Sequence, residues 1–332
     1  MLLAATRFDG HSLLGLEDSS YGASIRHRKA RGIRIVAACT PPYKVLITGA
    51  SKGIGMALAE EFLRSGDNVM ICSRREEHVN AALQSLSSEF GSQRSWGKAC
   101  DVRDPKSIRE MVEFARDTFG KVDIWINNAG SNGYTYKPLV ETSDEVIMEI
   151  VETNLIGVML CCREAIKLMR DQGSEGHIFN MDGAGADGRP TPRFAAYGAT
   201  KRSITQFTKT LQAELSMQGV KNVFVHNLSP GMVTTDLLMS GTDTKQVFGF
   251  FPLFFQRFFY AFVSQAKFFI NALAEPPAVA AAFLVPRIRS VVAEKNPKST
   301  YIRFLTGVKA YSQILKRILF KSRKDRFVRE ED

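Results

Sequence analysis

Residues 48–55 read Thr48-Gly49-Ala50-Ser51-Lys52-Gly53-Ile54-Gly55 and follow directly on the apolar run Val45-Leu46-Ile47. An apolar run that ends in a glycine-rich turn and opens a helix marks the start of a βαβ unit. The glycines let the backbone turn tightly and come close to a pyrophosphate. The helix N-terminus offers that group free N–H donors and the positive end of a dipole. The spacing is G-x-x-x-G-x-G rather than the commoner G-x-G-x-x-G, so the glycines alone would be a weak signal. The strand before them and the helix after them carry the reading.

Outward from this loop the same rhythm repeats. Short apolar runs at 68–72, 98–102, 122–127, 177–180 and 223–227 alternate with helical patterns over 54–66, 75–90, 105–119, 143–170 and 195–218. Strands alternating with helices predict an α/β fold: one doubly wound parallel sheet of Rossmann type with helices on both faces, covering at least 43–235. The 332 residues, 45% of them hydrophobic, suffice for one large domain with extensions and exclude disorder throughout.

The end of the second strand bears on the cofactor. A carboxylate there would hold the ribose 2′-OH of NAD. The chain has Cys72-Ser73-Arg74-Arg75 instead, with Lys52 in the glycine loop. Guanidinium groups grip phosphate bidentately, so the 2′-phosphate of NADP fits better.

Two segments depart from the rhythm. Residues 247–272 hold ten phenylalanines. Phe254, Phe255, Phe258, Phe259 and Phe262 recur at helical spacing, and Phe250 and Phe251 continue the face across Pro252. Such a surface could cover a large apolar substrate, enter a membrane interface beside Arg257 and Lys267, or form an ordinary core helix. Residues 314–332 carry seven basic and four acidic side chains and a stripe of Ile314, Leu315, Ile318, Leu319 and Phe320. This basic amphipathic tail suits either an anionic membrane or plain solvent.

The net charge of +10 favours acidic partners. Nucleic acid is not expected among them, because the basic residues are scattered and form no recognisable module. Residues 19–38 contain no acid, three serines, and Arg26, Arg28, Lys29, Arg31 and Arg34. That is the pattern of an organelle transit peptide over 1–38, and 35–39 resembles a plastid processing site. The five cysteines show no metal-ligand spacing, and adjacent Cys161 and Cys162 make a poor disulfide pair. No metal and a reducing compartment are expected. The sequence has no uninterrupted apolar run of about 20 residues, the length a bilayer-spanning helix needs.

Six ordered motifs over 48–235 resemble those of the short-chain dehydrogenases/reductases. Residues 48–55 match the TGxxxGxG loop, Asp101-Val102 the adenine-contacting pair, and Asn127-Asn128-Ala129-Gly130 the NNAG strand end. Asn154 matches the asparagine that holds a proton-relay water, Tyr197-x-x-x-Lys201 the catalytic YxxxK, and Pro230-Gly231 with Thr235 the PG motif and the threonine near the carboxamide. The resemblance implies cofactor contacts from Gly49, Ser51, Lys52, Gly53, Ile54, Gly55, Arg74, Arg75, Asp101, Val102, Asn128, Ala129, Gly130, Tyr197, Lys201, Pro230, Gly231 and Thr235. Physically, positions i and i+4 share one helix face. A cationic Lys201 favours the phenolate and lowers the Tyr197 pKa. Tyr197 then exchanges a proton with a substrate oxygen, and the cofactor carries the hydride.

One feature departs from the family. Ordinary members carry a serine shortly before the tyrosine, whereas no serine occurs from 177 to 201, and Asp182-Gly183 stand in its place. A protonated Asp182 in an apolar pocket could donate to the substrate oxygen; the Gly183 N–H is another candidate donor. The run 177–201, the later 229–241 and 284–289 resemble one branch of the family, the chlorophyll(ide) b reductases of the non-yellow-coloring type. This extends the domain to about 43–310. The branch implies NADPH-dependent reduction of the 7-formyl group of chlorophyll b or chlorophyllide b to hydroxymethyl. It also implies a plastid location at the stromal face of the thylakoid membrane, association with a membrane-spanning paralogue, and a homo- or hetero-oligomer. Two alternatives stay open: reduction of another large apolar carbonyl such as a long-chain ketone or sterol, and a non-catalytic NADPH-binding subunit.

Overall fold

The computed structural model describes residues 37–240 and 266–329. Most of the Phe-rich segment and nearly all of the expected transit peptide lie outside the described residues. Among the described residues, seven parallel strands form one sheet in the order β3-β2-β1-β4-β5-β6-β7. They are β1 (Lys44–Thr48), β2 (Asn68–Ser73), β3 (Ser95–Ala99), β4 (Ile124–Asn127), β5 (Gly176–Met181), β6 (Val223–Ser229) and β7 (Tyr301–Arg303). The order reverses between β1 and β4, and a crevice opens there at the carboxyl ends of the strands.

The sheet is covered on both sides, which is why its central strands β1, β2 and β4 are continuous apolar runs. Val45, Leu46 and Ile47 of β1 are all fully buried. Because side chains alternate, Val45 and Ile47 pack in one layer and Leu46 in the other. The first layer holds α1 (Gly53–Arg64), α2 (Glu76–Phe90) and α9 (Pro277–Val292). The second holds α3 (Pro105–Phe119), α5 (Gly157–Asp171) and part of α6 (Ala195–Met217). α3 starts where its sequence dictates: Asp104 caps the Lys106 and Ser107 amides at 2.9 and 3.2 Å, and Pro105 opens the helix.

Four details differ from the expectation. The third strand is Ser95–Ala99, three residues earlier than 98–102. Trp96 packs on one layer and the side chains of Val79 and Leu83 close over Gly97 on the other, so no apolar run marks it. The helix expected over 143–170 is present as α4 (Asp144–Val151) and α5, joined by a π turn at Glu152–Ile156. β7 has three residues and no run to announce it. Finally, the boundary placed at 314 falls inside a helix, α10 (Gly307–Phe320). There Ile314 and Arg317 are buried, so this part of the tail is built onto the domain. α10 packs with α8 (Ala266–Leu273), the described end of the Phe-rich segment, through Phe269, Leu273, Ala310 and Ile314. The short α7 (Asp236–Met239) follows β6.

Candidate active site

A cleft of about 980 Å³ opens at the carboxyl ends of the strands. Its first wall is main chain. Gly49 has φ +64°, and a Cβ there would lie 2.7 Å from the Ala129 Cα. A Cβ on Gly55 would lie 2.4 Å from Asn128 Nδ2. Side chains at either place would fill the cradle, so space requires glycine at both, and at Gly49 the positive φ requires it as well. Asn128 braces the turn by donating Nδ2 to the carbonyls of Thr48 and Gly49, both at 2.9 Å. Thr48 Oγ1 accepts from the amides of Asn128 and Ala129 at 3.1 Å. Thr235 packs against the loop, since a Cβ on Gly53 would meet its Cγ2 at 3.2 Å.

Ser51, Lys52, Ile54, Arg74, Arg75, Val102, Gly130, Pro230, Gly231 and Thr235 all line this cleft. Arg74 and Arg75 hold half-exposed guanidiniums at its rim, with Glu149 and Glu77 at 3.9 and 3.6 Å. Lys52 is drawn to Asp236 at 2.6 Å. Asp101 stands apart. It does not line the cleft, because Arg103 holds its carboxylate through Nη2 at 2.6 Å and Nε at 3.0 Å. The cradle, the helix N-terminus and the basic rim fit a dinucleotide with a 2′-phosphate.

The second wall is side chain. A buried polar ladder fixes α6 on the strand ends. Trp125 Nε1 donates to Asn127 Oδ1, Asn127 Nδ2 to Asn180 Oδ1, Asn180 Nδ2 to Thr208 Oγ1, and Thr208 to Asn227 Oδ1, at 2.8 to 3.0 Å. Tyr197 and Lys201 stand one turn apart on that helix, with Lys201 Nζ 5.5 Å from the centre of the Tyr197 ring. Lys201 donates to the Met181 carbonyl at 3.2 Å. Asn154 lies in the π turn, an irregularity that recurs at functional sites. Its Oδ1 accepts from the Ser131 amide at 2.8 Å, and its Nδ2 donates to Ser131 O at 2.7 Å and Thr200 Oγ1 at 3.2 Å. Its side chain is thus fully engaged. A Cβ on Gly130 would lie 3.4 Å from Asn154 Oδ1 and 3.6 Å from Lys201 Nζ, so the strand end, the π turn and α6 converge.

Gly183 adjoins the tyrosine hydroxyl: a Cβ there would stand 2.2 Å from Tyr197 Oη. Asp182 is only 4% exposed, and its Oδ2 accepts from the Tyr301 hydroxyl on β7. Burial pushes this carboxyl up to about 6, while the hydroxyls of Tyr301 and Ser229 and the charges of Lys201 and Arg303 pull it down. The surroundings are therefore not the apolar pocket in which a protonated Asp182 could donate, and Asp182 is ionised above about pH 6. Burial drives Lys201 down to about 8, against the raising pull of Asp182. Tyr197 is shifted upward, first by burial and then by the Asp182 charge. The lowering expected from Lys201 is not among the causes that act on Tyr197, which lost hydration dominates. Tyr301 and Arg303 carried no sequence signal, and Ser229 was read only as the start of the 229–241 run; Tyr301 lies 119 positions from Asp182.

Residues 43–246 match the family model described as short chain dehydrogenase. The chain belongs to the short-chain dehydrogenase family. Among relatives of this short-chain dehydrogenase is chlorophyll(ide) b reductase NOL, chloroplastic, of Oryza sativa subsp. japonica, 60% identical over 90% of this chain and 82% of the relative. The protein of the same name from Arabidopsis thaliana is 59% identical over 88% of this chain and 78% of that one. Among solved structures, the 3-ketoacyl-(acyl-carrier-protein) reductase of Brucella melitensis complexed with NADH is 26% identical, with a TM-score of 0.62, over 80% of this chain and 98% of its own. The actinorhodin polyketide ketoreductase with NADPH is 25% identical with the same TM-score, over 82% of this chain and 99% of its own.

Proposed function

We propose that this short-chain dehydrogenase reduces the 7-formyl group of chlorophyll b or chlorophyllide b to hydroxymethyl with NADPH. The observation that carries the reading is the 60% identity, over 90% of the chain, to a relative named for that reaction. The site is consistent with it. Tyr197 hands its proton to the formyl oxygen, and its raised pKa suits a group that must arrive protonated. Lys201 supports Tyr197 and binds the nicotinamide ribose. Asn154 is the relay holder that the family implies, with its side chain fixed on Ser131 and Thr200. Bound NADPH supplies the hydride. Gly49, Ser51, Lys52, Gly53, Ile54, Gly55, Asn128, Ala129 and Gly130 cradle the diphosphate side; Arg74 and Arg75 take the 2′-phosphate; Val102 borders the adenine; Pro230, Gly231 and Thr235 border the carboxamide. Asp182 acts as a counter-charge to Lys201, since an ionised carboxylate repels a developing oxyanion. The Gly183 N–H is left as the candidate donor to that oxygen. Met232, Phe269, Leu273 and Leu305 give the cleft an apolar wall for a large flat pigment.

The reading extends to the plastid, supported by the word chloroplastic in the relatives' names. Residence at the stromal surface of the thylakoid is supported by α10. It exposes Leu315, Leu319 and Phe320, by 56, 62 and 75%, beside exposed Lys316 and Lys321, a pattern suited to an anionic interface. No described helix is long and apolar enough to cross a membrane. Association with a membrane-spanning paralogue, in a hetero- or homo-oligomer, belongs to the same proposal.

The test is incubation of the purified chain with NADPH and either chlorophyll b or chlorophyllide b, with products separated by chromatography and Tyr197→Phe as control. A 7-hydroxymethyl product that the variant does not form is the expected result. NADPH binding without turnover of either pigment overturns the reading in favour of another carbonyl or a non-catalytic subunit.

A further inference from the structure

Lys201 and Asp182 are opposite charges in the wall of one cleft: Lys201 Nζ donates to the carbonyl of Met181, the residue before Asp182, at 3.2 Å, and a third residue holds the carboxylate. The groups that face the Asp182 carboxyl come from three elements: Tyr301 and Arg303 on β7, Ser229 at the end of β6, and Lys201 and Tyr197 on α6. Oδ2 takes the Tyr301 hydroxyl, whereas Oδ1 is buried and has no hydrogen-bond partner among the described residues. The Arg303 guanidinium lies 3.9 Å from the centre of the Tyr301 ring, a cation–π contact that also holds the phenol. Among the described residues, Asp182 is the charge that acts on Lys201.

We propose that Tyr301 is a positioning residue for the reduction: its hydroxyl pins the Asp182 carboxylate, and the pinned carboxylate keeps buried Lys201 in the ammonium form. The proposal rests on the reductase reading above. A buried ammonium is costly, and a nearby fixed anion offsets that cost. A carboxylate with one bare oxygen would otherwise take up a proton and lose its charge; the phenol O–H favours the ionised form. Asp182 becomes anionic above about pH 6, and Lys201 stays cationic below about pH 8, so the working pair spans that window.

The experiment uses the full chain and its Tyr301→Phe variant. It records kcat/KM for NADPH-dependent reduction of chlorophyllide b, and NADPH affinity by fluorescence, from about pH 5 to about pH 9. The parent's kcat/KM should fall on the acid side near pH 6. In Tyr301→Phe that limb should move up by about one pH unit, the order expected when a hydrogen bond to a charged group is lost. Asp182→Asn, nearly isosteric, should abolish the acid limb and move the alkaline limb to lower pH. The pH at which NADPH binding weakens should move down with it. A Tyr301→Phe variant that is slower at every pH, with both limbs in place, overturns the proposal. If that variant does not fold, an unmoved alkaline limb in Asp182→Asn overturns it equally. The affinity profile needs no pigment. A parent that binds NADPH, shows the shift in Asp182→Asn and leaves chlorophyllide b untouched keeps the Tyr301–Asp182–Lys201 arrangement and removes the substrate reading.

Discussion

The two halves of the sheet build their shares of the cleft from different material. On the β1–β4 side the wall is backbone. Gly49 and Gly55 bring main chain against Ala129 and Asn128, and the side chains that matter brace carbonyls and amides. On the β5–β7 side the wall is side chains brought together from distant positions: Asp182 with Tyr301, Lys201 with the Met181 carbonyl, and Asn180 with Thr208 and, through it, Asn227. A backbone site is coded by consecutive residues, because only glycine permits the turn. A side-chain site is coded by the fold, and any residue of the right length can be recruited to it.

Substitutions can break or sharpen this contrast. The largest effect is expected at Tyr197→Phe, with kcat lowered by about 10²- to 10⁴-fold, the range for a lost general acid. NADPH binding should hold, because the backbone cradle is untouched; steady-state kinetics and fluorescence titration check the pair of outcomes. Next comes the acid lability of the β5–β7 half. His177 and His226 are fully buried, with His177 Nδ1 3.1 Å from His226 Nε2. Burial lowers His177 from 6.5 to about 4, and burial together with the neighbouring His177 lowers His226 as well. Between those pH values the unfolded chain binds protons that the folded chain refuses, so stability falls as pH drops from about 6.5 to about 4. His177 alone should contribute a loss of about 3 kcal/mol. Urea midpoints across that range, compared with those of His177→Phe, measure it. A slope identical in the variant would locate the acid lability elsewhere.

On the opposite side, Arg74→Ser with Arg75→Ser should weaken NADPH binding by roughly 10- to 100-fold and leave NADH nearly unaffected, as charge-assisted bonds to one phosphate imply. Equal losses for both cofactors would mean that these guanidiniums shape the rim rather than read the phosphate. The smallest change is the most pointed. Restoring the missing serine as Gly183→Ser should lower kcat by about tenfold rather than raise it, since a Cβ 2.2 Å from Tyr197 Oη displaces the reacting hydroxyl. A faster Gly183→Ser enzyme would show that the tyrosine can yield its position without loss.

The sequence by itself determined the α/β class, six of the seven strands in order, the glycine cradle and the helical pairing of Tyr197 with Lys201. All of these follow from spacing along a few consecutive residues: apolar runs that must be buried on two faces, glycines where no Cβ fits, and a four-residue helical repeat. Tertiary structure alone decided the third strand's true place, where Trp96 and a glycine stand instead of an apolar run. It also set β7 and the continuity of α10 across position 314, both too short or too mixed to read. Above all it decided the charges of the site. Asp182 could donate to the substrate oxygen only if protonated in an apolar pocket, and it meets Tyr301, Ser229, Arg303 and Lys201 instead. Tyr197 was expected to be lowered by its lysine and is raised by burial. Charge state depends on hydration and on neighbours in space, and neither is written in the order of residues.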